Sequence, residues 1–152
     1  NGVTLAEYKN AKGYYEVPIA FYSPKWEKGE IRTEGAVSQT DIMPSVLAYL
    51  GYKKPFFAFG ENALTQTKKH PYAVCYNEPV YQLLTDSLLL QFDGTNITAV
   101  YNYQKDPLLH RNIVSTSKIN HLETYLKAYI QQYINRMINN QLTLPKNGST
   151  SR

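Results

Sequence analysis

Four short apolar segments between residues 72 and 103 constrain this chain more than any other feature. Residues 72–76, 80–85, 87–92 and 97–103 each have the length and composition of a strand. The spacers between them are turn-forming: Asn77, Glu78 and Pro79, then Asp86, then Asp93, Gly94, Thr95 and Asn96. Connections that short cannot carry a crossover, so consecutive strands must lie antiparallel and adjacent. The pattern predicts a meander that ends at Lys105, Asp106 and Pro107.

Helical spacing appears on either side of it. Over residues 38–50, Ile42, Val46, Leu47 and Leu50 fall on one stripe, which predicts a helix with that stripe buried. Ser38, Thr40 or Asp41 supplies its cap, Pro44 sits in the first turn where its missing N–H costs nothing, and Gly51 is the natural stop. Residues 119–142 read as a long amphipathic helix, with Ile119, Leu122, Leu126, Tyr129, Ile130, Tyr133, Met137 and Ile138 on one face and Ser117 or Asn120 as cap. Between the first helix and the meander, residues 52–64 form an aromatic loop expected to pack back on the core.

Nearer the start, residues 17–24 hold an unbroken apolar run, Ile19, Ala20, Phe21 and Tyr22, with Pro18 and Pro24 at its edges. A continuous run predicts a strand covered on both faces, as in the parallel sheet of an α/β domain, with the 38–50 helix as its cover. Residues 1–16 read as loop with a turn of helix near 5–9, residues 25–35 as a surface excursion, and residues 145–152 as a disordered polar tail.

Composition excludes more than it identifies. The chain has 152 residues and a net charge of +4, but its sixteen Lys and Arg are interleaved with twelve acids, so no basic stripe points to nucleic acid. The fourteen tyrosines fall mostly in strand-like and helix-like segments, where they read as amphipathic core-edge residues. Cys75, the single cysteine, rules out an internal disulfide and sits in an apolar run as a buried, inert thiol. His70, His110 and His121 are too far apart in sequence to make a local ligand pair. Asp41, Asp86, Asp93 and Asp106 each sit at a cap or turn, and Lys12 in a loop. Asn96 with Thr98 and Asn147 with Ser149 match the short glycosylation acceptor pattern. The residues themselves give no catalytic, cofactor-binding or metal-ligating site.

Several stretches resemble one family. Val17 and Pro18 opening a strand, followed by Gln39, Asp41, Ile42, Pro44, Ser45, Leu47, Leu50 and Gly51, resemble the C-terminal half of the sulfatase family in the alkaline phosphatase superfamily. Phe59, Gly60 and the residues to Leu64 look like a segment of its lipoteichoic-acid-synthase-like and phosphoglycerol-transferase-like branch. Tyr101, Asp106, Pro107 and Asn112 look like the family's C-terminal motif, although the Glu of that motif is missing near Leu109 and His110.

The resemblance implies an α/β, alkaline-phosphatase-like fold, with residues 1–70 as the last segment of its core, 71–144 as a sheet-plus-helix subdomain and 145–152 as a tail. It further implies a metal-dependent enzyme acting on sulfate or phosphate esters, with a Ser, Thr or formylglycine nucleophile. The Asp and His ligands of its divalent metal (Mn, Mg, Ca or Zn) precede the strand at residues 17–24 in that family, so none is assigned here, and Lys12 lies too close to Pro18 for the family's anion-contacting lysine. The implied parent is bacterial and membrane-anchored with an extracytoplasmic catalytic part, this chain being a soluble C-terminal fragment. The expected partners are that catalytic part or, through a strand edge at residues 17–22, a second copy of the fragment. The competing reading is a non-catalytic carbohydrate- or protein-binding module built on a Tyr-rich sheet.

Overall fold

The turn chemistry between residues 72 and 103 produces a four-stranded antiparallel meander in the computed structural model. Its strands are β1 (Ala73–Asn77), β2 (Val80–Leu84), β3 (Leu88–Phe92) and β4 (Ile97–Asn102). The structure describes residues 17–26, 35–65, 71–115 and 119–144. The chain divides into two units, one of residues 1–36 with 71–118 and the other of residues 37–70 with 119–152. The long helix thus groups with the 38–65 region, whereas the division at residue 70 follows chain order.

In the first unit the register places Leu83 opposite Leu90 and Leu90 opposite Val100, and all three are fully buried. The other face buries Gln82, Leu89 and Ala99. Burial on both faces explains why β3 opens with three consecutive leucines instead of alternating. The hairpins close through side chains as well as backbone. Thr85 Oγ1 accepts from the N–H of Ser87 and Leu88, and Asp93 Oδ1 accepts from Thr95 and Asn96. Gly94 supplies the left-handed residue of the second turn, at φ 101°.

Residues 17–24 correct the sequence reading: they form no strand, and no strand pairs with them. Tyr22 is 90% exposed, and the buried residue of the stretch is Ser23. Its carbonyl accepts from Trp26 and its hydroxyl from the Lys25 N–H, which makes a turn. An apolar run becomes a buried strand only when neighbours take up its ladder, and Pro18 and Pro24 remove two of its donors. The edge expected to associate at residues 17–22 therefore lacks its strand. Residues 1–16 and 145–152 lie outside the described residues, as does most of the excursion at 25–35.

The second unit contains a 3-10 turn (Gln39–Asp41) leading into α1 (Ile42–Tyr49), together with α2 (Asn120–Ile138). Ser38 caps the turn, and Asp41 reaches back to the Ser38 N–H to complete a capping box. Both helices stop the same way. After α1, Gly51 at φ 67° donates to Ala48 and Tyr52 donates to Leu47. After α2, Asn140 at φ 51° donates to Met137 and Gln141 donates to Arg136. These are Schellman ends, with glycine at one and asparagine at the other. The expected side-chain cap of α2 is absent: Ile119 takes that place without a side-chain hydrogen bond, Asn120 is the first helical residue, and Ser117 lies outside the described residues.

The buried faces also differ from the hydrophobic stripes. In α1 the buried residues are Pro44 and Ser45, while Ile42, Val46 and Leu50 are exposed and Leu47 is half-buried. In α2 the stripe is buried at Leu122 and Leu126, with Ile119 buried at the cap, but opens toward the C-terminus, where Ile138 is 77% exposed. Leu126→Ala should therefore destabilise the chain by about 2–5 kcal/mol. Ile138→Ala should cost less than about 0.5 kcal/mol. Equal shifts in denaturation midpoint would contradict this assignment of the helix's buried half.

Candidate functional site

Two clusters of side-chain-to-backbone hydrogen bonds stand out among the described residues. The first lies in the second unit, around Asp41 and Ser45. Both side chains are buried, Ser45 completely. Asp41 Oδ2 accepts from the Ser38 N–H and its Oδ1 from the Glu61 N–H, each at 2.7 Å. Ser45 Oγ donates to the Asp41 carbonyl at 2.6 Å and accepts from the Ala63 N–H at 2.8 Å. The Pro44 and Ser45 face of α1 is thereby tied to the loop at 60–63. Gly60 makes the close approach possible, since a Cβ there would collide with the Thr40 carbonyl. The rest of the aromatic loop packs back as expected, with Phe59 against Tyr129 at 5.3 Å and Tyr133 at 5.4 Å, and the Arg136 guanidinium 3.9 Å from the Phe57 ring centre. Burial of the Tyr129 ring raises its hydroxyl's pKa. Phe57, Phe59, Tyr125, Tyr129 and Arg136 line a shallow depression of about 280 Å³.

The second cluster lies along β4 in the first unit. The Asn112 amide bridges the strand's outer edge, donating to the Thr98 carbonyl and accepting from the Val100 N–H, both at 3.1 Å. The Ile113 N–H then donates to the Val100 carbonyl. Asp106 holds the preceding loop by accepting from the Arg111 N–H at 2.7 Å. That bond depresses its carboxyl pKa, as the Asn96 and Thr95 N–H groups depress that of Asp93. The stability each contributes is present above the usual carboxylate range and is lost as pH falls through the depressed value.

The remaining candidates are dispersed. His110 and His121 are exposed and His70 lies outside the described residues, as do Lys12 and Asn147. Asp86 and Asn96 are exposed at hairpin ends. Cys75 is half-buried, with its thiol 3.6 Å from Gln82 Oε1, and desolvation pushes its pKa to about 11. Gln82 was not singled out by sequence, and nothing in its local pattern marks it. It is fully buried with its Nε2 unpartnered. Among the described residues no group of three or more His, Cys, Asp or Glu side chains is placed to hold a metal ion, and no helix is long and apolar enough to cross a membrane. Ser45 and Gly60 stand in the sequence as positions of the family pattern, but nothing local marks their buried ties, because the partners lie 18 to 20 residues away in sequence. No family model, curated protein or solved structure matches the chain.

Two substitutions and one reaction rate test this description. Ser45→Ala leaves the Ala63 N–H without its acceptor and should cost about 1–3 kcal/mol. Gly60→Ala should cost a similar amount, about 1–3 kcal/mol, by overpacking against backbone. Wild-type denaturation midpoints would contradict the two ties. A thiol reagent at pH 8 should modify Cys75 about 100-fold more slowly than an unshifted thiol, with the rate rising about tenfold per pH unit toward pH 11. A rate like that of free cysteine would show that the thiol is not desolvated.

Proposed function

We propose that this chain is the C-terminal part of a sulfatase-like or phosphoglycerol-transferase-like enzyme that acts on sulfate or phosphate esters. One observation carries the reading: separate stretches of the resemblance, at Asp41 and Ser45 and at Gly60, meet in a single buried cluster. A motif that serves packing would join its parts in this way. On this reading the motif residues shape the scaffold, and the chemistry resides in the preceding part of the protein, in a membrane-anchored, extracytoplasmic parent. The ligands of its divalent metal and its nucleophile lie in that preceding part. The binding-module alternative is less well supported, because in the sheet Tyr76 and Tyr81 pack against each other, tilted, with ring centres 4.8 Å apart.

The 152-residue chain alone should show no turnover of aryl sulfates or phosphate esters with added Mn, Mg, Ca or Zn. The reading frame preceding Asn1 should encode a nucleophile with an Asp and His cluster, and the longer protein should be metal-dependent in the same assay. Turnover by the 152-residue chain, or an unrelated domain in that reading frame, would overturn the proposal.

A further inference from the structure

The two edges of the sheet are treated differently. The β4 edge is sealed from within the chain, because Asn112 and Ile113 take up the outward groups of Thr98 and Val100. Among the described residues the outward groups of Val74 and Tyr76 on the β1 edge have no such cover. Asn77 and Val80 flank the two-residue connection and pair across it. Antiparallel alternation then turns the N–H and C=O of Val74 and Tyr76 away from β2. Among the described residues these outward groups of Val74 and Tyr76 have no hydrogen-bond partner, and the Ala36 N–H donates to the Pro71 carbonyl, two residues before the strand.

The usual protections of an edge are also missing from β1. It carries no charge, no proline and no bulge, and its sequence of Ala, Val, Cys, Tyr and Asn favours a strand at its centre. Tyr76 stands 54% exposed, with the Tyr81 ring of β2 packed against it at a tilt.

We infer that β1 is an interaction edge, and that its partner is β1 of a second copy of this chain, joined antiparallel about a two-fold axis at Cys75. The strand is complementary to itself in that arrangement. Val74 of one copy faces Tyr76 of the other, so their outward N–H and C=O groups bond reciprocally. Ala73 faces Asn77, and no charged side chain opposes another within the paired strands. Two four-stranded sheets become one of eight strands, with an isologous contact that closes on itself and so gives a dimer.

The test uses light scattering over a concentration series, with amide hydrogen exchange on the same samples. The expected result is a mass that rises to twice that of the chain, with the Val74 and Tyr76 amides becoming protected in step. Tyr76→Lys places a charge at the edge and should weaken association by about tenfold or more. Val74→Pro removes an outward donor and should do the same. Each variant's thermal melt monitors its fold, and exchange in the unmodified chain decides the matter independently of either. A monomer throughout, or a dimer in which the Val74 and Tyr76 amides exchange freely, would overturn the inference, as would folded variants that associate as tightly as the parent.

Discussion

The buried carboxylate of Asp41 is the interaction on which the second unit depends. Its two oxygens serve different purposes. One completes the capping box that starts the helical segment at Ser38, and the other accepts the Glu61 N–H from 20 residues downstream. A buried carboxylate is unfavourable unless it is hydrogen-bonded, and here donors of fixed backbone geometry supply the bonds. Ser45 extends the tie one helical turn further, and Gly60 gives the loop the clearance to reach it. A local cap thus becomes a tertiary fastening, and the aromatic loop that it anchors lays Phe59 on Tyr129 and Tyr133.

The first unit uses a related device along the outer edge of β4. Asn112 presents an acceptor and a donor to backbone groups that would otherwise be left at a strand edge. In both units, side chains that sit at caps and loops satisfy backbone hydrogen bonds. Asp41 and Asp106 both accept backbone N–H groups.

Local signals made much of the fold legible in the sequence. The four strands fall within a residue or so of their expected ends, because turn residues such as Asp93 and Gly94 act over a few positions. Gly51 marked the end of α1 for the same reason. Features that depend on distant partners were not legible. Residues 17–24 had the composition of a buried strand but find no neighbouring strand. The buried face of α1 was misjudged because hydrogen bonds from Asp41 and Ser45 decide it, while apolar Ile42, Val46 and Leu50 remain exposed. Hydrophobic periodicity cannot register a face that is buried through polar contacts.

The most direct measurement is amide hydrogen exchange at Glu61 and Ala63 in the full chain. Both residues lie in a loop, where amides ordinarily exchange quickly. If Asp41 and Ser45 hold them as described, both should exchange as slowly as the buried first half of α2 around Leu126. Exchange at the rate of an exposed loop, while α2 remains protected, would contradict the account.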